Sequence, residues 1–151
     1  MPSAFCLCNR RDLLRGSLAL AAIPPACCTT PEIPPECVTF TAESVRIDLK
    51  ATGGVLAPGT AVRVVNADRG VNLLLVRVDE QRYVAASLKC THGGAPLTYN
   101  EKHKTISCTS FGHSEFDFEG AVLRGPAPRT LPTYQIVRSA DQLEIRMAAK
   151  A

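Results

Sequence analysis

Two short runs dominate this sequence: Cys90-Thr91-His92 and Cys108-Thr109-Ser110-Phe111-Gly112-His113, separated by fifteen residues, 93–107. Two thiolates and two imidazoles suit a mononuclear zinc site, or an iron–sulfur cluster whose two irons take sulfur and nitrogen respectively. Residues i and i+2 of an extended loop point the same way, so Cys90 and His92 can face one site yet serve different metal atoms. Zinc ligand pairs are more often separated by two to four residues. The spacing therefore favours iron and sulfur.

Two further motifs follow these runs in the expected order. Ser114-Glu115-Phe116-Asp117 fits the end of a second ligand loop, and Gly125-Pro126-Ala127-Pro128 fits a third loop rich in glycine and proline. With them, residues 45–147 resemble a Rieske domain, the fold that holds a [2Fe–2S] cluster with two cysteines and two histidines. The family pattern is Cys-x-His, about fifteen to seventeen residues, Cys-x-x-His, and then a third loop over the cluster.

The resemblance implies a role for each site residue. Cys90 and Cys108 would hold one iron, and His92 and His113 would hold the other. Ser114 would donate a hydrogen bond to a bridging sulfide. The third loop, with Pro126, would cover the cluster.

The second loop departs from the family pattern, because four residues rather than two separate Cys108 from His113. Bringing both onto a cluster requires a bulge, which Gly112 is expected to permit because glycine tolerates unusual backbone angles. The alternative is a decayed site in which His113 is a surface histidine. A disulfide or a zinc ion at the cysteines also stays open. His103, in a polar turn, is a poor substitute ligand.

Composition sets limits on function. The 151 residues carry a formal charge of +3, which is too small to indicate nucleic acid, and no basic stripe with interleaved aromatic residues is present. We therefore expect no nucleic-acid partner.

The amino-terminal residues predict export. Arg10 and Arg11, followed by Leu13 and Leu14, match a twin-arginine signal, and the apolar stretch at 18–23 is far shorter than the roughly 20 residues of a membrane span. The twin-arginine route carries folded proteins, as a cluster assembled in the cytoplasm requires. The expected location is periplasmic, or membrane-tethered on the outer side of the cytoplasmic membrane.

The expected domain division has three parts. Residues 1–28 form the signal peptide, in which Cys27 or Cys28 offers a lipidation site although the preceding prolines make a poor lipobox. The second part, 29–42, is rich in proline and predicts an extended, semi-rigid linker. The third, 43–149, forms the Rieske domain, with its cluster-binding part at about 89–131. Any membrane contact would be through the amino-terminal anchor alone.

The domain itself predicts an all-β fold. Short apolar runs recur with turn residues between them, and Leu73-Leu74-Leu75-Val76-Arg77-Val78 is apolar enough to be buried on both faces. Two runs return after the third loop, at 133–137 and 143–147. We expect a Rieske-type antiparallel β sandwich or barrel with an inserted cluster-binding subdomain.

The resemblance implies electron transfer, by a carrier or an iron–sulfur subunit rather than by an enzyme acting alone. The partner would be a redox protein or a quinol-oxidising membrane complex. The absent disulfide and the lack of a true anchor helix favour a carrier or accessory subunit. Ring-hydroxylating oxygenases need a second domain, for which no sequence follows residue 151. The contrasting hypothesis is a Rieske-fold binding or structural module that holds zinc or has lost its metal.

The resemblance also bears on the reduction potential. Quinol-oxidising members brace their ligand loops with a disulfide, where this chain has Ala95 and approximately Ser110. They place a tyrosine hydroxyl near a ligand sulfur, where this chain has Phe116. Loss of that donor predicts a middling-to-low potential within the family range of roughly −150 to +300 mV.

Overall fold

A computed structural model describes residues 30–149. The signal, lipidation and cleavage predictions for residues 1–28 lie outside this range. The described elements are one 3-10 turn, Pro35–Cys37, and eleven strands. The strands are β1 (Val38–Phe40), β2 (Ser44–Asp48), β3 (Thr60–Asn66), β4 (Val71–Arg77), β5 (Tyr83–Ser87), β6 (Leu97–Asn100), β7 (Thr105–Cys108), β8 (Glu115–Phe116), β9 (Val122–Arg124), β10 (Thr133–Ser139) and β11 (Gln142–Ala149). No helix within 30–149 has the length and apolar character needed to cross a membrane.

The strands form two antiparallel sheets. The seven-stranded sheet has the order β1-β2-β11-β10-β5-β4-β3, and the four-stranded sheet has the order β6-β7-β8-β9. Strands β5 and β10 are hydrogen-bonded neighbours, yet the whole four-stranded sheet lies between them in the chain. The smaller sheet is therefore an insertion, and the predicted all-β architecture with an inserted subdomain is confirmed.

Strand β4 supplies side chains to both of the hydrophobic cores. Leu73 and Leu75 lie in the core of the large sheet, whereas Leu74 and Val76 lie in the core shared with the inserted sheet. All four are fully buried, as expected when successive side chains of a strand point to opposite faces. The second core also contains Cys90, so the packing that joins the two sheets ends directly at the ligand loops.

The segment 31–40 differs from the sequence expectation. The proline-rich composition predicts an extended, semi-rigid linker over 29–42. In the structure, Arg63 of β3 exchanges two backbone hydrogen bonds with this segment. The N–H of Ile33 donates to the Arg63 carbonyl, and the N–H of Arg63 donates to the Pro31 carbonyl. Ile33 and Cys37 are buried in the larger core, and β1 then pairs with β2. Residues 31–40 therefore pack against the domain, because two apolar side chains between the prolines find a place in the core.

This packing predicts that Ile33→Ala destabilises the domain. Ile33 is 6% exposed, and truncating a buried isoleucine to alanine costs about 2 kcal/mol or more. Val55→Ala is the control, since Val55 is 38% exposed and surface changes usually stay within about 0.5 kcal/mol. Denaturant unfolding of both variants gives the comparison. Equal, small losses would mean that the segment is a free linker after all.

Candidate metal centre

Two buried thiols lie at the base of the candidate site. Cys90 follows β5, Cys108 ends β7, and the two side chains are 3% and 2% exposed. Both cysteines are free, and each thiol affects the pKa of the other. The strands place them together, because Cys108 is the register partner of Leu97 and Leu97 N–H bonds back to Leu88 beside Cys90.

The two histidines lie at the surface above the thiols. His92 and His113 are both exposed. An ideal Cβ built on Gly112 would lie 3.4 Å from Cε1 of His92, so the residue next to His113 packs against the His92 ring. The contact between Gly112 and His92 brings the loop that carries His113 beside His92. All four residues of the predicted site therefore lie at one end of the inserted sheet.

Hydrogen bonds tie the three loops together. In the first loop, Gly94 N–H donates to the Cys90 carbonyl, which forms a tight turn. Thr109 of the second loop donates both its N–H and its hydroxyl to the Pro96 carbonyl. The Thr91 hydroxyl donates to the carbonyl of Arg129 at 2.8 Å, which ties the first loop to the third.

The widened second loop is accommodated differently from the sequence expectation. Its left-handed residue is His113, with φ 43°, whereas Gly112 has no positive φ. His113 N–H donates to the Ser110 carbonyl at 3.1 Å, closing the turn. Gly112 is needed instead for a close approach, since an added Cβ would lie 2.8 Å from Cγ of Pro126. The loop does bulge as expected, but the residue with the strained, positive φ is His113 rather than Gly112.

The third loop covers Ser114. Gly125 has φ 94°, and a Cβ there would lie 2.6 Å from the Ser114 Cα, so only glycine permits the contact. Ser114 is fully buried. Its hydroxyl partly opposes the burial that raises the pKa of the Cys90 thiol, yet it makes no hydrogen bond of good geometry to any protein atom. Because Ser114 lies under the third loop and beside Cys90, its unpartnered hydroxyl is available to donate to a group bound there.

A serine in the widened loop contacts one of the thiols. The Ser110 hydroxyl lies 2.9 Å from the Cys108 sulfur. Sequence reasoning placed Ser110 only as a substitute for a disulfide cysteine and missed this contact. The sole sequence signal was a hydroxyl two residues after a candidate ligand, and that position does not determine where the side chain points.

The pKa values of the two thiols are shifted in opposite directions by their surroundings. Burial raises the pKa of Cys90, against the opposing effect of the His92 backbone N–H. Burial also opposes ionisation of Cys108, but the hydroxyl and backbone N–H of Ser110 outweigh it and lower the pKa of Cys108. The Cys108 sulfur is therefore the better prepared of the two to act as a thiolate ligand.

The donor set fits a cluster of two metals. Among residues 30–149, no three His, Cys, Asp or Glu side chains gather around one point as ligands of a single ion. A [2Fe–2S] cluster held by two cysteines and two histidines needs only two protein ligands at each iron. Two buried thiols, two exposed imidazoles and an unpartnered buried hydroxyl on these loops meet that requirement.

The close approach at Gly125 predicts a large cost for Gly125→Ala. A non-glycine residue held at positive φ costs about 1–3 kcal/mol, and here the added Cβ also overlaps the Ser114 backbone. Gly70→Ala is the matched control, because Gly70 has φ 65° with nothing within 4 Å of an added Cβ. We expect the Gly125 variant to lose clearly more unfolding free energy in denaturant titration. Equal losses would show that the third loop is not held against Ser114.

Comparisons with known proteins agree with this geometry. The family model for the Rieske [2Fe-2S] domain matches residues 52–135. No curated protein matches the chain.

Three solved structures are similar. The cyanobacterial plasma membrane Rieske protein PetC3 from Synechocystis PCC 6803 is 27% identical, with a TM-score of 0.49, over 69% of this chain and 92% of that one. The ferredoxin of carbazole 1,9a-dioxygenase from Nocardioides aromaticivorans IC177 is 22% identical, with a TM-score of 0.56, over 68% and 96%. A chain from a complex of reduced oxygenase and oxidized ferredoxin in carbazole 1,9a-dioxygenase is 20% identical, with a TM-score of 0.61, over 74% and 99%.

The family match spans more than half of the chain, and its limits enclose both ligand loops and the third loop. The chain belongs to the Rieske [2Fe–2S] domain family, whose cofactor is a [2Fe–2S] cluster.

Proposed function

We propose that this protein is an exported electron carrier, or an accessory iron–sulfur subunit of a respiratory oxidoreductase. In this proposal Cys90 and Cys108 hold the inner iron and His92 and His113 hold the outer one. The observation that carries the assignment is the division of the four side chains, with two thiols buried and two imidazoles exposed at the same end.

This division assigns a task to each pair. The thiols, buried in the core that joins the sheets, would anchor the cluster rigidly. The imidazoles, open to solvent, give an electron a short path to a docked partner. When bound, the cluster takes up and releases one electron at a time. Replacing two thiolates by neutral nitrogen ligands removes negative charge, which raises the potential into the range of roughly −150 to +300 mV.

The remaining site residues would support the cluster. The Ser114 hydroxyl, which is buried without a protein acceptor, would donate to a bridging sulfide. Pro126 packs against Gly112, where it would limit the access of water to the cluster. Both roles act on the potential through hydrogen bonding and burial.

Export is the second part of the proposal. The twin-arginine motif at Arg10 and Arg11 supports it, and the partner would then be a redox protein or a quinol-oxidising complex on the outer side of the cytoplasmic membrane. Lysine at both positions should leave the folded protein in the cytoplasmic fraction. Unchanged export of that double variant would contradict this route.

The test of the electron-transfer assignment uses the full-length protein. Electron paramagnetic resonance after reduction with dithionite should give a rhombic signal of low average g, and chemical analysis should find iron and sulfide in equal amounts. A colourless protein that is silent and free of iron would overturn the assignment. Zinc at the cysteines would then indicate a binding or structural module.

A further inference from the structure

The three loops at the cluster end carry only positive charges, although Glu115, just outside them, is the strand partner of Arg124. The three loops at 89–96, 109–114 and 124–130 contain Lys89, Arg124 and Arg129 and no aspartate or glutamate. All three cations are exposed. Within the described part of the chain none forms an ion pair, although five other cations do. Each of the three is therefore available for a partner's carboxylate.

An aromatic side chain projects from the same end. Phe111 lies within the widened second loop and is 102% exposed, so it contributes nothing to either core. Phenylalanine is among the side chains that are most often buried, so full exposure leaves the apolar surface of Phe111 available to a partner. The neighbouring Gly112 packs against His92 and Pro126, so Phe111 is held beside the exposed histidines.

We propose that Lys89, Phe111, Arg124 and Arg129, here called the cluster-end surface, dock an acidic electron-transfer protein. Its carboxylates would face the three cations, and an apolar recess would take the Phe111 ring. This inference rests on the proposed function and adds the kind of partner.

The residue types fit a protein contact. Aromatic and arginine side chains are enriched in protein interfaces and supply most of their strongest contacts. Complementary charge around such a contact speeds encounter and orients the partner. Here that orientation would place the partner over His92 and His113, where the electron leaves.

An anionic lipid surface is the other ligand that positive charge and one aromatic ring can attract. A lipid surface accepts no electron from the histidines, and the described residues offer one fully exposed aromatic ring rather than an apolar helical face. The observations therefore favour a protein, and the lipid surface becomes an outcome of the experiment.

The experiment measures the affinity of the full-length protein for an acidic plant-type ferredoxin, by fluorescence anisotropy of the labelled ferredoxin. We expect Arg124→Glu and Arg129→Glu each to weaken binding about tenfold at low salt. Lys102→Glu is the control, because it makes the same charge change in the turn between β6 and β7, at the far end of the inserted sheet. Arg129→Glu is the cleaner variant, since Arg124 faces Glu115 across the strand pair.

The contribution of Phe111 to the affinity for the ferredoxin is measured at about 0.3 M salt. At this salt concentration exposed charges are largely screened beyond a few ångströms. There Phe111→Ser should weaken binding several-fold, whereas Val137→Ser, at a partly exposed position of β10, should not. Equal affinities for the arginine variants and Lys102→Glu, or for the two serine variants, would overturn the proposal. The proposal would also be overturned if Phe111→Ser reduced sedimentation of the protein with phosphatidylglycerol vesicles but left its affinity for the ferredoxin unchanged.

Binding does not require a reduced cluster, so the two proposals fail separately. A protein with the expected resonance signal but equal affinities for all variants keeps its function and loses this partner. A protein without the signal loses the proposed function, whatever its affinities are.

Discussion

Replacing His113 with alanine should abolish the low-average-g resonance signal while leaving the fold intact. His113 is the proposed outer-iron ligand in the one loop that departs from the family spacing, and without it the outer iron keeps a single protein ligand. The side chain is exposed, so its truncation removes no core contact. Histidine and alanine both carry a Cβ, so the strain at φ 43° is already present in the wild type and the substitution adds little to it.

The control is His103→Ala. His103 is also exposed, but it lies in the turn at 101–104, away from the three loops. We expect its spectrum and its iron content to match those of the wild type. If the His113 variant keeps the signal and the His103 variant loses it, the widened loop does not supply the ligand and the assignment of the outer iron is wrong.

Replacing Ser110 with alanine should lower the reduction potential. Once Cys108 binds iron its sulfur carries no proton, so in the 2.9 Å contact the serine hydroxyl must donate. Reduction adds negative charge to the cluster and strengthens that bond, which stabilises the reduced state. A hydrogen bond to a charged group is worth about 1.5–3 kcal/mol; if about half of this differs between the two states, the shift is roughly 50 mV for one electron.

The potential is measured by redox titration of the visible spectrum. Ser107→Ala is the control, because Ser107 precedes Cys108 and its buried hydroxyl has no hydrogen-bond partner. Threonine at position 110 keeps a hydroxyl and should restore most of the potential. An unchanged potential in Ser110→Ala would mean that the hydroxyl turns away when iron is bound.

This contact changes the expectation drawn from the sequence. Phe116 fills a fully buried core position where quinol-oxidising relatives are expected to carry a hydroxyl, and its identity alone predicts a lowered potential. The widened loop brings a different hydroxyl to the same kind of atom. The sequence-based estimate of a middling-to-low potential therefore omits one donor.

The sequence predicts those features that depend on periodicity and on unusual residue types. The two-faced burial of β4 follows from its unbroken apolar run, and the family motifs locate the three loops. It does not predict contacts that depend on the path of an irregular loop, such as the Ser110 hydroxyl or the approach of Gly112 to Pro126. The sequence does not predict the packing of segment 31–40, because two isolated apolar residues in a proline-rich stretch form no periodic pattern. These residues, Ile33 and Cys37, are buried individually.

That segment also has a consequence for association between molecules. It bonds to β3 at one edge of the large sheet and continues into β1 at the other, so the same short stretch of chain covers one edge strand and provides the second. Uncovered edge strands carry unpaired N–H and C=O groups that recruit strands from other molecules. A domain cut at residue 43 would present bare edges at β3 and β2. We therefore expect such a truncated domain to associate more readily than the full-length protein.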